Sequence, residues 1–246
     1  MSDTPDLPRL FAALDATWPA ARRIAQGPFT LREGQGGGQR VSAATLDGEG
    51  FAPADLAAAE HGMRALGQVP CFRVAEGQEA LDAALEARGY GVSDPTVFYA
   101  APVAAPVATL AEEPGPVSLF PIWPPLAITA DIWTAGGVGP ARQAVMARVP
   151  APRTSLLARV SDRAAGAAFV ACDGPVAMLH AIEVLPGLRR RGAARILVTG
   201  AAWWAQAQGA AWLALAVTRA NAPARALHDR LGMVRCAGYH YRVAPG

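Results

Sequence analysis

The chain has 246 residues, of which 52% are hydrophobic, and a formal net charge of +2. This length and apolar content allow one large globular domain or two small ones, and they exclude a disordered chain. All 22 basic residues are arginine, and Ala and Arg are abundant throughout. Arginine content in general is therefore a weak indicator of nucleic-acid binding, and only local clusters of arginine count.

In the first half, residues 4–25 place apolar side chains three and four apart, which predicts an amphipathic helix that ends at Pro19 or continues weakly past it. Strands are predicted over 29–33 and 40–46, on either side of the Gly-rich segment 34–38. Because no helix pattern follows those glycines, a hairpin turn is favoured over a phosphate loop. The other elements predicted here are a helix over 54–66, a strand over 71–74, a helix over 78–88 and a strand over 96–101.

A proline-rich segment separates the two halves. Seven prolines lie between residues 102 and 125, with an acidic pair and little periodicity. This composition is typical of a linker or an extended crossing segment. It predicts two domains, 1–108 and 109–246.

The second half shows an α/β order of elements. Residues 131–149 have a helix pattern that is interrupted at 136–140, so that only 141–148 is regular. Asp173-Gly174 is a good hairpin signal within a predicted antiparallel meander. The elements predicted here are strands over 154–160, 165–172 and 176–184, a helix over 193–208, a strand over 212–217, a helix over 223–231 and a strand over 235–243.

An uncharged run extends from Ile196 to Thr218 and is long enough to span a bilayer. Its pattern changes from helix-like to strand-like after Gly209, so we interpret it as a helix followed by a buried strand. The N-terminus is acidic and lacks the basic start and apolar run of a signal peptide. We expect a cytoplasmic protein that does not enter a membrane.

The three cysteines, Cys71, Cys172 and Cys236, lie far apart and form no C-x-x-C pair. Neither a zinc site nor a disulfide framework is indicated, and a reducing compartment suits this spacing. We expect no bound metal.

A basic turn is the most informative stretch of the sequence. A strand pattern ends at Val184, Pro186 and Gly187 break it, and a helix pattern opens at Ala193. Cations at a helix N-terminus are normally unfavourable, and this one collects Arg189, Arg190, Arg191 and Arg195. An anion such as a phosphate would explain them, since free backbone N–H groups also point there. The alternatives are a solvated basic turn and a nucleic-acid patch.

These elements resemble the GNAT superfamily of N-acetyltransferases over residues 117–246. The signature [Gln/Arg]-x-x-Gly-x-[Gly/Ala] is met by Arg189-x-x-Gly192-x-Ala194, and 217–233 is similar to the second cofactor motif of that family. The resemblance implies an α/β (α+β) fold, with a mixed, mostly antiparallel sheet flanked by helices. Residues 80–90 loosely echo 226–233, which suggests a smaller, degenerate GNAT-like N-terminal half.

The resemblance also implies that acetyl-CoA is the co-substrate. Its diphosphate would bind the basic turn, and its pantetheine would lie in a splay between strands 176–184 and 212–217, paired with free backbone groups like an added strand. Asn221 is expected either to cap the following helix or to contact the co-substrate. The implied binding residues are Ile182, Val184, Arg189, Arg190, Arg191, Gly192, Ala193, Ala194, Arg195 and Asn221.

Three residues are candidates for proton transfer. His228 stands where the family usually has the Tyr that protonates the leaving thiolate, and a half-exposed helix histidine is the simpler alternative. His180 and Glu183 lie on the strand before the turn, where some family members carry the base. Alternation places them on opposite faces unless a bulge intervenes, and His180 also suits a hydrogen-bonded core position. Trp123 and Trp133 either line an acceptor pocket or pack in the core.

The predicted function is transfer of an acetyl group from acetyl-CoA to a primary amine of a small molecule or peptide. The amine would attack directly in a ternary complex, because no cysteine is suitably placed for a covalent intermediate. The competing hypothesis is a non-catalytic acyl-CoA-binding or regulatory module. The expected partners are acetyl-CoA and the amine, with no nucleic acid or membrane, in a monomer or a homodimer.

Overall fold

The computed structural model describes residues 4–48, 50–108, 117–150 and 152–245. The helices are α1 (Leu7–Thr17), α2 (Gln39–Ser42), α3 (Pro53–Ala65), α4 (Glu79–Ala87), α5 (Ala104–Ala108), α6 (Ala127–Ala135), α7 (Pro140–Arg148), α8 (Ala193–Ala207) and α9 (Ala222–Arg230). The strands are β1 (Arg22–Gln26), β2 (Phe29–Glu33), β3 (Thr45–Leu46), β4 (Cys71–Ala75), β5 (Gly91–Pro102), β6 (Val117–Ile122), β7 (Arg153–Val160), β8 (Arg163–Asp173), β9 (Val176–Val184), β10 (Trp212–Thr218) and β11 (Val234–Val243).

The main sheet has eight strands in the order β4-β11-β5-β10-β9-β8-β7-β6, and a second sheet joins β1, β2 and β3. In the main sheet β9 and β10 are parallel, and the other neighbouring pairs are antiparallel. Helix α8 packs on one face, where its residues join the core formed by β7 to β10. Helices α1, α6 and α7 pack on the other face. The predicted fold class, a mostly antiparallel mixed sheet flanked by helices, is confirmed.

The last strand of each half completes the sheet of the other half. Strand β5 of the first half lies between β10 and β11 of the second, and β11 in turn pairs with β4. The order β3-α3-β4-α4-β5 is repeated by β9-α8-β10-α9-β11. The domain boundary at residue 108 remains a prediction, and the sheet is continuous across it.

Two predictions for the first half are wrong. Residues 40–46 form helix α2 and only two strand residues, because Gly38 at φ +91° turns the chain into a short helix that buries Val41. The Gly-rich segment is therefore not a simple hairpin turn. Helix α1, in contrast, ends at Thr17, just before Pro19, which agrees with the first of the two predicted ends, and the residues after it form β1.

The described parts of the proline-rich segment include a helix and a strand. These are α5 and β6, and β6 forms the edge of the main sheet by pairing with β7. Residues 109–116 of that segment lie outside the described residues. The predicted helix over 131–149 is two helices, α6 and α7, separated at 136–139, and α6 begins four residues earlier than predicted, at Ala127.

The uncharged run from Ile196 to Thr218 divides into α8 and β10, as predicted. Within the described ranges, no helix combines the length and the apolar character that a membrane crossing needs.

Candidate functional site

Strands β9 and β10 diverge in the middle of the sheet. Their parallel pairing runs from Val176 opposite Trp212 to Leu179 opposite Leu215, and no later residue of β9 pairs with β10 in the described chain. Beyond Leu179, β9 remains paired with β8 on its other side. The divergence leaves a cleft in which backbone groups of β9 are available to an extended ligand.

A bulge in β9 lies beside this cleft. Ala181 has φ +49°, and the register with β8 shifts between the pair Phe169–His180 and the pair Ala167–Glu183. Because cross-strand partners share a face, the bulge turns His180 and Glu183 to the same side of the sheet. The indole Nε1 of Trp133 donates to the carbonyl of Ala181 at 2.9 Å, which holds the bulge in place.

The basic turn leads from β9 into α8. A 3-10 turn over Pro186–Leu188 buries Leu188 and is followed by Arg190 in the left-handed region at φ +61°. Gly192, at φ +88°, precedes the first helical residue Ala193 and supplies no capping side chain. The N–H groups of a first helical turn lack intrahelical acceptors, so this turn offers backbone donors to an external anion.

The arginines of the turn add side-chain donors. Arg189, Arg190 and Arg191 are exposed, Arg195 is half-buried, and Arg189 Nε donates to the carbonyl of Val184 at 3.1 Å. Backbone N–H groups and guanidinium groups at one helix start are the donor set that a diphosphate prefers. The residues present therefore fit the diphosphate of acetyl-CoA.

Asn221 lies at the other side of the cleft, where β10 passes into α9. Its side-chain oxygen accepts from the N–H of Ala224 at 3.1 Å, so it caps α9. It is also exposed. The capping role is observed, and a contact with the co-substrate stays a prediction.

His228 is buried on the inner face of α9 and is not the half-exposed histidine of the simpler alternative. It is 2% exposed, its ring lies 5.4 Å from that of Tyr99, and its Nδ1 has no hydrogen-bond partner among the described residues. Burial lowers the pKa of His228 to about 4, against a smaller opposing effect of Asp229. The imidazole is therefore neutral at pH 7 and has one N–H to donate.

Glu183 is half-buried at the end of β9. Burial raises the pKa of its carboxyl, and Arg189 and Arg142 oppose this rise. The carboxyl group also lies directly against Gly136, the residue that ends α6. A carboxylate with a raised pKa at a cleft has the character of a general base.

His180 has a different environment, although it shares the face of Glu183. It is 2% exposed, its Nε2 lies 2.8 Å from Thr17 Oγ1, and its ring lies 5.0 Å from that of Trp18. Burial, assisted by the charge of Arg40, holds the pKa of His180 well below its ordinary value. These contacts favour the hydrogen-bonded core interpretation.

The two tryptophans also differ. Trp133 is fully buried, whereas Trp123 is half-buried and packs against Phe169 with ring centroids 5.6 Å apart. The guanidinium of Arg153 lies 4.6 Å from the Trp123 ring.

Three further residues of this region, Thr17, Tyr99 and Gly136, were not predicted as site residues from the sequence, because nothing in the local pattern indicates what they contact.

Residues 122–233 match the sequence model of the acetyltransferase (GNAT) family. Residues 122–233, somewhat less than half of the chain, are a GNAT acetyltransferase domain. The matched part of this GNAT domain contains β9, the basic turn, α8, β10 and α9, which together form the cleft. The family assignment supports acyl transfer from acetyl-CoA.

Solved structures resemble this protein over nearly its whole length. A GCN5-related N-acetyltransferase from Kribbella flavida is 18% identical with a TM-score of 0.71, covering 99% of this chain and 97% of that one. A conserved protein of unknown function from Staphylococcus epidermidis is 11% identical with a TM-score of 0.71, covering 94% and 96%. A tandem GNAT protein from the clavulanic acid biosynthesis pathway is 17% identical with a TM-score of 0.61, covering 83% and 76%. At these identities the likeness shows the fold alone. No curated protein sequence matches this chain.

Proposed function

We propose that this protein is an acetyl-CoA-dependent N-acetyltransferase that acts on a primary amine of a small molecule or peptide. The observation that carries the proposal is the cleft between β9 and β10, which ends at the arginine-rich start of α8. In this cleft the described backbone of β9 beyond Leu179 is not paired with β10, and the turn that would bind the diphosphate lies at the end of the same strand. The residues 190–195 would hold the diphosphate, and the backbone of Ile182 and Val184 would pair with the pantetheine amides.

Acetyl-CoA supplies a thioester carbonyl carbon and a thiol leaving group. In our proposal Glu183 accepts the proton of the attacking amine, directly or through a water, because its carboxyl has a raised pKa and borders the cleft. The amine nitrogen forms the amide bond as the carbon–sulfur bond breaks, and the neutral imidazole of His228, on the inner face of α9, donates a hydrogen bond from its N–H to the leaving thiolate. The thiolate then takes a proton from water, and Glu183 returns its proton to solvent. We assign His180 to the core packing that supports the bulge.

Direct attack by the amine is supported by the state of the cysteines. Burial raises the pKa of the Cys71 thiol to about 12, that of Cys172 to about 11, and that of Cys236 above its ordinary value. Thiols held in the protonated form are poor nucleophiles, so a covalent acetyl-cysteine step is disfavoured.

The test is release of free thiol from acetyl-CoA in the presence of a panel of primary amines, together with calorimetric titration of CoA. We expect binding of CoA and amine-dependent thiol release that Glu183→Gln reduces. If CoA binds tightly and no amine accelerates thiol release, the competing hypothesis of a non-catalytic acyl-CoA-binding module holds. If CoA does not bind, both hypotheses fail.

A further inference from the structure

A second cavity lies in the N-terminal half, away from the cleft. It has a volume of about 720 Å³, within the range of small-molecule sites, and lies between α1, the β1–β3 sheet and β4. It reaches Asp173 at the start of the β8–β9 hairpin, whereas Glu183 lies at the far end of β9, roughly 20 Å along that strand.

The internal repeat gives this cavity a counterpart. It opens at the carboxyl ends of β3 and β4, through Leu46, Asp47 and Ala75, as the cleft opens at the carboxyl ends of β9 and β10. The helix α3 that corresponds to α8 is capped differently, because Asp55 accepts from the N–H of Ala52 at 2.8 Å. No arginine occurs between residues 41 and 63, so a diphosphate turn is missing. A ligand here must differ from acetyl-CoA.

Buried arginines form one wall of the cavity. Arg32 is 2% exposed and Arg73 is 7% exposed, and both bind Asp15, at 2.6 Å and 3.0 Å. Arg23 lies 3.9 Å from the same carboxylate. Although burial opposes ionisation of Asp15, the two buried arginines hold its pKa below the ordinary value. The carboxylate of Asp15 is therefore the ion-pair partner of three guanidinium groups.

The charged side chains at the cavity have a net charge of +1, which one bound monoanion would neutralise. Three arginines (Arg23, Arg32, Arg73) and three aspartates (Asp15, Asp47, Asp173) line the cavity. Asp173 is already paired with Arg9, which lies outside the lining. Including Arg9, four positive charges face three negative ones.

Arg73 lines this cavity and has guanidinium donors besides the one that binds Asp15. Among the described residues, its Nη1 donates to Asp15, and no other hydrogen bond of its guanidinium is found. Its guanidinium carbon lies 4.2 Å from the centre of the Phe11 ring. Phe11, Ala12 and Leu46 supply an apolar wall beside the charged one. A planar fork of N–H donors beside an apolar wall suits an organic carboxylate.

We propose that this cavity is a binding site for a small organic monocarboxylate, held by Arg73 and Arg23 with its apolar part against Phe11. The excess of one positive charge favours a monoanion over a phosphate dianion. The site is independent of the acetyl-CoA cleft and of the proposed acetyl transfer.

The test is calorimetric or NMR titration of the full chain with benzoate, and with benzyl alcohol, benzylamine and phenyl phosphate as probes of charge. We expect benzoate to bind more tightly than the other three. Arg23→Gln, an exposed change, should weaken benzoate binding roughly tenfold, the value of a charge-assisted hydrogen bond. Arg22→Gln, on the neighbouring exposed arginine outside the cavity, is the matched control and should leave it unchanged.

Two further measurements test whether benzoate binds in this cavity and not at the basic turn. Benzoate binding should persist in saturating CoA and in Arg191→Gln, since the basic turn is a separate anion site. Arg73→Met should abolish it, with folding checked by circular dichroism, and Arg23→Gln carries the test if Arg73→Met does not fold. The proposal is overturned if benzoate does not bind, if phenyl phosphate, benzylamine or benzyl alcohol binds as tightly, if Arg23→Gln has no effect, or if CoA displaces benzoate.

Discussion

His180 and Glu183 lie on the same face of β9 because the bulge at Ala181 adds one residue between them. The two side chains nevertheless have different surroundings: His180 is sealed against Thr17, whereas Glu183 is half-buried beside the basic turn. Of the two residues on this face, His180 therefore packs in the core, and Glu183 is the one that can contact a substrate.

Glu183→Gln is expected to lower kcat for amine acetylation about 100-fold, which is the usual contribution of a general base. In the wild type, kcat/KM should rise as the pH passes upward through the raised pKa of Glu183, because the carboxylate is the active form. The variant should lose that limb of the pH profile while it retains affinity for CoA. An unchanged profile would mean that another group is the base.

Gly136→Ala is expected to lower kcat, because an added Cβ would occupy the space of the Glu183 carboxyl group. The carboxyl must then move from its position beside the cleft. Gly139→Ala is the matched control, since a Cβ there meets nothing within 4 Å. Equal kinetics for Gly136→Ala and the wild type would contradict the assigned role of this contact.

Arg191→Gln is expected to raise the Kd for CoA roughly fivefold to tenfold through loss of a charge-assisted contact. The affinity of the wild type should also fall with added salt, because the site is exposed and its interactions are screened. Calorimetric titration measures both effects. Arg163→Gln, a change of the exposed first residue of β8, should bind CoA like the wild type.

His228 is expected to make stability depend on pH. Its folded pKa of about 4 lies below the unfolded value of 6.5, so between these values the unfolded chain binds more protons. The free energy of unfolding should therefore fall by about 3 kcal/mol from this residue as the pH drops from 6.5 to 4. In denaturant unfolding, the free energy of unfolding of His228→Leu should not show this decrease between pH 6.5 and 4. An identical pH dependence in the variant and the wild type would refute the assignment.

A fragment of residues 109–246 is expected not to fold as a monomer. It lacks β5, so β10 and β11 lose the strand that lies between them and expose unpaired edges. Co-expression with residues 1–108 should restore a soluble complex, measured by size-exclusion chromatography and circular dichroism. A stable monomeric fragment would show that the exchanged strands are dispensable.

The sequence by itself determined the elements whose signals are local. The strand, the basic turn and the helix at 193–208 follow from apolar periodicity, Pro186, Gly187 and the run of arginines. The division of the uncharged run at Gly209 follows in the same way, and the fold class is implied by the resemblance of these elements to the GNAT superfamily. These features depend on neighbouring residues, whose backbone preferences and charges can be read directly from the chain.

Only the tertiary structure decided which of these residues meet. The bulge that aligns His180 with Glu183 depends on Trp133, 48 residues away, and the burial that neutralises His228 depends on Tyr99 of the exchanged strand β5. The short helix α2 in place of a strand likewise buries Val41 in the core that it shares with residues of α6, α7 and β8. Burial and pairing are long-range properties, so the pKa of a histidine and the face of a strand residue are set by partners that its own sequence neighbourhood does not contain.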